Sequence, residues 1–151
     1  MDQKIILLAD DDSDDTEMFR EALADTADNI VCHFAVNGRE LLDKLEKLNE
    51  KPQLIFLDLN MPVMDGWQCL KMLKTDPRHQ HIPVIMISTS SHQREMDMAI
   101  DQGALCYFVK PYNFKDLKQM LQTITANLGG SLKAALQNLQ TLGSAHIFTC
   151  E

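Results

Sequence analysis

The residues best suited to chemistry in this sequence stand directly after short apolar runs. Four such runs end in an acid pair, an acid, a hydroxyl and an amine: Asp10 and Asp11, Asp58, Ser88, and Lys110. A carboxylate at the end of a buried run is costly to desolvate unless a cation or a hydrogen-bond donor meets it. We therefore expect these side chains to converge on one site.

The acids favour a hard divalent cation as a ligand of this site. Several carboxylates and no histidine stand at the ends of the runs, and oxygen ligands of this kind select Mg²⁺ or Mn²⁺ rather than zinc. Mg²⁺ keeps several of its waters, so one or two direct carboxylates are enough. Asp58 and Asp11 are the candidates, together with a backbone oxygen from the loop after Asp58.

The same groups are suited to accepting a phosphoryl group. The Asp58 carboxylate would attack in line, while the metal and the Lys110 ammonium neutralise the equatorial oxygens of the transferred group. As a point charge, Lys110 needs to reach only one of these oxygens. Ser88 is expected to donate a hydrogen bond to the resulting acyl phosphate.

Two other chemistries use parts of the same pattern. The spacing of Asp10, Asp12 and Asp14 approaches that of a calcium-binding loop. However, Asp15 stands where such a loop requires glycine, and a strand precedes it rather than a helix. A haloacid-type phosphatase also has an aspartyl nucleophile after a strand, but it needs a second aspartate where this chain has Asn60. The acids that follow the pair, Asp15 included, are better explained as first-turn residues that complement a helix dipole.

Short apolar runs alternate with amphipathic helical segments along the chain. The runs that predict strands are residues 5–9, 30–35, 54–57, 84–87 and 106–109. This alternation predicts an α/β fold with a doubly wound, five-stranded parallel sheet covered by helices on both faces. The common flavodoxin-like strand order is 2-1-3-4-5, and ligands bind beyond the strand ends where that order reverses, between strands 1 and 3. Asp10, Asp11 and Asp58 emerge at that point.

Three helix ends can be predicted from one or two residues each, with every helix numbered by the predicted strand that it follows. Ser13 is the expected N-cap of helix 1. Gly103 is expected to end helix 4 in a left-handed conformation, which glycine adopts without strain. Asn113 and Asp116 form the expected capping pair of helix 5.

Composition disfavours several classes of function. The 151 residues are 45% hydrophobic and 24% charged, as in ordinary globular domains, and no apolar stretch reaches the roughly 20 residues that cross a bilayer. The net charge of −8 disfavours nucleic-acid binding, because phosphate backbones would be repelled. The first residues lack the features of a secretory signal and the cysteines form no Cys-x-x-Cys pair, so we expect a reducing, cytoplasmic location.

The sequence from Lys4 to about Leu128 resembles the receiver domain of two-component response regulators, in particular the stand-alone, chemotaxis-regulator-like receivers. The matching motifs are the acid pair Asp10-Asp11, the segment Leu57-Asp58-Leu59-Asn60-Met61-Pro62 with Asp65-Gly66, the hydroxyl of Ser88, and Lys110-Pro111. They occur in the family's order and at family-like intervals. This combination is much more specific than any one of its motifs.

The resemblance implies a role for each residue of the cluster. Asp58 would accept a phosphoryl group from a phosphohistidine on a sensor histidine kinase or a histidine phosphotransfer protein. Mg²⁺ would be held by Asp11, Asp58 and the Asn60 carbonyl, with Asp10 acting through water. Lys110 would pair with Asp58 first and with the phosphoryl group afterwards.

The resemblance also implies a conformational switch. Ser88 would move toward the phosphoryl group, and the aromatic side chain of Tyr107 would turn inward. The face made by helix 4, strand 5 and helix 5 would then repack in response to one local change of charge. The Lys110–Pro111 peptide bond is expected to be cis, as in other receivers.

Residues 129–151 are expected to form a tail after the receiver domain, which would span residues 4–128. The tail is shorter than the roughly 40 residues that an independent domain needs. Ser131–Leu142 predicts a short amphipathic helix with leucines along one face: Leu132, Leu136, Leu139 and Leu142. This helix either packs on its own domain or contacts a partner, which includes a second copy in a homodimer.

The sequence therefore predicts a single-domain response regulator. It would be a Mg²⁺-dependent phosphoacceptor switch rather than an enzyme, and it would signal by docking to an unknown downstream protein. Neither nucleic acid nor a membrane is expected as a partner. The alternative is a receiver-like interaction module that is not phosphorylated, and the intact set of acids, hydroxyl and lysine argues against it.

Overall fold

The computed structural model describes residues 3–26, 29–141 and 147–149. The elements in chain order are β1 (Lys4–Ala9), α1 (Ser13–Thr26), β2 (Ile30–Ala35), α2 (Gly38–Lys47), β3 (Leu54–Asp58), α3 (Gly66–Thr75), β4 (Val84–Ser88), α4 (Gln93–Asp101), β5 (Cys106–Val109), α5 (Phe114–Ala126), α6 (Leu132–Thr141) and β6 (Ile147–Thr149). Within these ranges, every helix is too short or too polar to cross a membrane.

The strands form one sheet in the order β2-β1-β3-β4-β5-β6. The first five strands are parallel and follow the order 2-1-3-4-5, so the predicted doubly wound fold is confirmed. The sixth strand was not predicted. It pairs antiparallel with β5 and covers that strand's outer edge.

The core consists of two apolar clusters, one on each face of the sheet. Along β1, Ile6 and Leu8 join the cluster under α1 and α5, whereas Leu7 and Ala9 join the cluster under α2, α3 and α4. Successive side chains of a strand point to opposite faces, so a strand covered by helices on both sides must be apolar throughout. The ends of such strands are therefore the places where polar groups can emerge.

Two of the three predicted helix ends are confirmed, and the cap predicted for α1 was wrong. The side chain of Asp12, and not of Ser13, caps α1, because Asp12 Oδ1 accepts a hydrogen bond from the Asp15 N–H at 2.9 Å and Ser13 already lies inside the helix. Gly103 ends α4 with a φ of 101°, as predicted. The cap predicted for α5 is also present, with the Asn113 side chain accepting from the third N–H of that helix.

Helix α6 packs on the body of the protein. Leu132 and Leu136 are buried in the cluster that contains α5, and Leu139 is partly buried against it. The fourth leucine of the predicted stripe, Leu142, lies outside the described residues. The described part of the stripe is thus used within the chain, while homodimerisation and the division of the chain at residue 128 stay predictions.

Candidate functional site

Strand register brings Asp10 and Asp58 side by side. Ala9 of β1 pairs with Leu57 of β3, so Asp10 directly after β1 and Asp58 at the end of β3 lie at the same edge of the sheet. Both aspartates are buried, with 3% and 7% of their surfaces exposed. Two carboxylates thus occupy the switch point of the sheet, where ligands of doubly wound folds bind.

The neighbouring strands deliver the hydroxyl and the amine to the same edge. Ser88 ends β4 and pairs with Val109, so Lys110 follows immediately at the end of β5. The backbone N–H of Lys110 donates to the Ser88 carbonyl at 2.8 Å, which fixes the start of the lysine side chain beside the serine. The four predicted strand ends therefore meet, as their positions in the sequence indicated.

Lys110 bridges the acids of this cluster. Its Nζ lies 2.8 Å from Asp10 Oδ2, 2.8 Å from Asp15 Oδ2 and 3.4 Å from Asp58 Oδ2. Burial lowers the pKa of Lys110, but hydrogen bonds to Asp10 and Asp15 outweigh it and hold that pKa above its ordinary value. The ammonium is therefore a fixed positive charge, and its contact with Asp58 is the longest of the three.

The surroundings of Asp58 disfavour its ionised form. The pKa of its carboxyl is raised from 3.8 to about 7, mainly by burial and also by the neighbouring Asp10 carboxylate, and this rise remains although Lys110 and the Asn60 N–H lower the pKa. The Asn60 contact is long, at 3.5 Å between its backbone nitrogen and Asp58 Oδ1. A further cation beside Asp58 would relieve this unfavourable charge.

The donor set fits a hard divalent cation. Asp10, Asp11 and Asp58 each present a carboxylate oxygen within 4.8 Å of the others; two of these residues are buried and Asp11 is exposed. All three ligands are oxygens, as Mg²⁺ and Mn²⁺ prefer. Asn60 lies in the loop directly after Asp58, and its predicted role as a carbonyl ligand stays a prediction.

Ser88 and Tyr107 both contact the loop between β4 and α4. The Ser88 Oγ accepts a hydrogen bond from the Ser90 N–H at 3.0 Å, and the Tyr107 hydroxyl donates to the Ser90 carbonyl at 2.9 Å. Both side chains are buried, and Tyr107 is 0% exposed. The tyrosine already points inward, and Ser90 links it to the hydroxyl at the site.

The loop after Asp58 has two unusual backbone positions. A Cβ on Gly66 would lie 2.2 Å from the Asp58 carbonyl oxygen, so only glycine fits where α3 begins against β3. Val63 adopts a φ of 66°, a left-handed conformation that is a genuine outlier for a β-branched residue. The segment that carries Asp58 and Asn60 is therefore held by close backbone contacts.

Asp15 contacts the site although the sequence predicts only a first-turn acid of helix α1 at this position. Its Oδ2 makes one of the two shortest contacts of Lys110. A signal was available, because Asp15 precedes Met18 by three residues and Phe19 by four. It therefore lies on the face of α1 that packs on the sheet, at the end nearest the acid pair.

The predicted cis peptide bond is absent. All described peptide bonds are trans, and these include the bond between Lys110 and Pro111. An X–Pro bond prefers the trans form by only about 0.5–1 kcal/mol, and this difference is too small for the sequence Lys110-Pro111 alone to determine the isomer. The lysine reaches the acids in the trans form.

Comparison with known proteins identifies the family. The sequence signature described as the response regulator receiver domain matches residues 6–122. The response regulator Rcp1 of Synechocystis is 31% identical over 126 residues, which cover 80% of this chain and 86% of that protein. The chemotaxis protein CheY1 of Helicobacter pylori is 31% identical over 113 residues, covering 74% and 91%.

Solved structures agree with the sequence comparison. The phosphorylated cyanobacterial phytochrome response regulator RcpA has a TM-score of 0.76 at 30% identity, and the match covers 83% of this chain and 94% of that one. The Mn²⁺-bound form of Rcp1 has a TM-score of 0.72 at 30% identity, with 82% and 92% covered.

Receiver domains are the phosphoacceptor switches of two-component systems. They bind a divalent metal and interact with kinases and with downstream targets. The family match spans most of the chain, and the buried acids, hydroxyl and lysine lie together at the strand ends. The chain belongs to the response regulator receiver domain family.

Proposed function

We propose that this receiver accepts a phosphoryl group on Asp58 from a phosphohistidine of a sensor histidine kinase or a histidine phosphotransfer protein. The observation that carries the proposal is the contact of one buried ammonium, Lys110, with Asp10 and Asp58 beside the cluster of three carboxylates. Phosphoryl transfer needs little from a protein beyond positioning and the neutralisation of charge. This site offers both.

The transfer uses the residues of the cluster in distinct roles. A carboxylate oxygen of Asp58 attacks the phosphorus, the new O–P bond forms, and the P–N bond to the donor histidine breaks, with its electron pair returning to the imidazole. Lys110 neutralises one oxygen of the transferred group. Ser88, which ends β4 beside Asp58, donates a hydrogen bond to another oxygen after its present contact with Ser90 opens.

The acids would hold Mg²⁺, with Mn²⁺ as a substitute. We propose Asp11, Asp58 and the Asn60 carbonyl as direct ligands and Asp10 as a ligand through water. When bound, the cation neutralises the oxygens of the phosphoryl group. The Mn²⁺-bound form of the related Rcp1 supports this assignment.

The switch would run through the loop between β4 and α4. Ser90 forms hydrogen bonds with both Ser88 and Tyr107. A movement of Ser88 toward a phosphoryl group would therefore also disturb the hydrogen bond between the Tyr107 hydroxyl and the Ser90 carbonyl. The surface made by α4, β5 and α5 then changes and docks a downstream protein. We propose a cytoplasmic protein partner rather than nucleic acid or a membrane, in keeping with the net charge of −8.

Titration with beryllofluoride in the presence of Mg²⁺ tests the proposal. Beryllofluoride mimics the phosphoryl group, and Trp67, the second residue of α3, provides a fluorescence signal near Asp58. We expect a saturable change that requires both Mg²⁺ and the mimic and that is lost in Asp58→Asn. The matched control is Asp43→Asn, which removes the same charge from an exposed position on α2 and should respond as the wild type does.

A phosphohistidine donor completes the test. A phosphorylated histidine phosphotransfer protein should label the wild type and Asp43→Asn but not Asp58→Asn. The absence of any fluorescence response and of any label in the wild type would reject the proposal. That outcome would favour the alternative of an interaction module that is not phosphorylated.

A further inference from the structure

We propose that Asp15 is a positioning residue that restrains Lys110 and thereby weakens the affinity of the site for the phosphoryl group. The inference rests on the proposed function, because it concerns how strongly the lysine can serve a phosphoryl group on Asp58. It assigns a role in this site to an acid outside the metal cluster of Asp10, Asp11 and Asp58.

The contacts of the Lys110 ammonium carry the argument. An ammonium has three N–H donors, and three carboxylates surround this one. Asp10 and Asp15 take the two contacts at 2.8 Å, while Asp58 is left with the one at 3.4 Å. The lysine therefore lies nearer to Asp15 than to the residue that it has to serve.

Both the backbone and the side chain of Asp15 are held in place in the first turn of α1. Its backbone N–H donates to Asp12 Oδ1, the cap of α1, at 2.9 Å. Its side chain and that of Lys110 line a small cavity whose other walls are mainly apolar and include Phe19 and Phe108. The Lys110 side chain is only 14% exposed, whereas that of Asp15 is 37% exposed. An ion pair with one partner in apolar surroundings is screened less than a pair on the open surface.

Transfer of a phosphoryl group to Asp58 increases the competition between Asp58 and Asp15 for the Lys110 ammonium. The group adds negative charge at Asp58 and requires the Lys110 ammonium, while Asp15 holds that ammonium and also repels the new charge. Asp10 competes for the lysine too, but it belongs to the proposed metal cluster, where a bound cation would offset its charge. Asp15 has no such compensation. Its removal should therefore favour the state in which Lys110 contacts the phosphoryl group.

The test compares Asp15→Asn with Asp14→Asn. Asp14 is the neighbouring, exposed acid in the first turn of α1, so the two variants remove the same charge from the same helix end. Each protein is titrated with Mg²⁺ alone and then with beryllofluoride in saturating Mg²⁺, and the fluorescence of Trp67 is followed. Asp15→Glu keeps the charge and serves as the conservative variant. Thermal unfolding of all four proteins shows that they are folded.

We expect Asp15→Asn to bind beryllofluoride about tenfold more tightly than the wild type, the effect of removing one charge a few ångströms from an anion near the surface. Asp14→Asn and Asp15→Glu should bind it as the wild type does. Asp15→Asn should bind Mg²⁺ no more tightly than Asp14→Asn does, because the loss of an acid beside the metal cluster cannot favour a cation. A purely structural role of Asp15 predicts the opposite sign, since a loosened site would bind the mimic more weakly.

The outcomes separate this inference from the proposed function. A wild type that gives no response to beryllofluoride rejects the proposed function, and the inference with it. A responsive wild type whose Asp15→Asn variant binds the mimic no more tightly than Asp14→Asn rejects the inference alone.

Discussion

Asp58 carries a charge that the folded protein opposes. The carboxyl is buried beside Asp10, and its pKa is raised from 3.8 to about 7. A carboxyl whose pKa is higher in the folded than in the unfolded chain stabilises the protein only while it is protonated. That contribution is complete below the unfolded value and is lost as the pH rises through the folded value. Without a divalent cation, the ionised site is therefore a source of instability.

Asp58→Asn should remove this instability. Asparagine keeps the shape of the side chain and leaves Lys110 paired with Asp10 and Asp15. In EDTA, we expect the variant to match the wild type near pH 4 and to exceed its free energy of unfolding by on the order of 2 kcal/mol at pH 8. Urea unfolding across this range measures the difference, and Asp43→Asn, on the exposed face of α2, should show no such trend. A stability difference that is constant with pH would contradict the argument.

Most of the site could be predicted because its residues end buried strands. Asp10, Asp58, Ser88 and Lys110 each follow an apolar run, and parallel strands place such ends at one edge. Asp15 was harder to assign, because its partner depends on where the first turn of α1 lies relative to β5. The sequence spacing defines the face of the helix but not the distance to a lysine almost a hundred residues away.

At the scale of elements, the loop between β3 and α3 determines where Asp58 lies. Its start and end touch, because the Gly66 N–H donates to the Leu59 carbonyl at 3.1 Å. The side chain of Asp65 caps α3 and forms a reciprocal capping box with Gln68. Backbone contacts therefore hold the end of β3 against the start of α3.

Gly66→Ala should separate these two elements. The added methyl group would lie 2.2 Å from the Asp58 carbonyl oxygen, and this atom cannot yield without moving β3. We expect a loss of about 1–3 kcal/mol in the free energy of unfolding, as for other overpacked sites, together with weaker binding of beryllofluoride. Urea unfolding and the Trp67 titration measure the two effects.

Gly130→Ala is the matched control for this change. A Cβ at Gly130 meets no atom within 4 Å, so its effect on stability should stay within about 0.5 kcal/mol. Equal unfolding free energies of the two variants would show that the contact at Gly66 is not tight. The close approach itself was beyond sequence analysis, as was the left-handed Val63, because a β-branched residue is the least expected choice for that conformation.

At the scale of the whole molecule, the structure adds a sixth strand to the five units that the sequence predicts, and it packs the predicted C-terminal helix, α6, on the core. The parallel sheet was predictable because strands and helices alternate strictly. The antiparallel β6 was not, because a strand of three residues gives no periodic signal and its partner is set by tertiary contacts. It removes the free edge of β5, a position at which exposed backbone groups otherwise pair with other chains.

Helix α6 should behave as part of the core rather than as a detachable tail. Leu136 is 0% exposed and shares its cluster with α1, α5 and four strands of the sheet. Leu136→Ala should therefore cost about 2–5 kcal/mol of unfolding free energy, as for other buried leucines, whereas Lys133→Ala on the exposed side of the same helix should change it by less than about 0.5 kcal/mol. Urea unfolding at several protein concentrations measures both. A small, concentration-dependent loss in Leu136→Ala would instead indicate that the leucine face joins two copies of the chain.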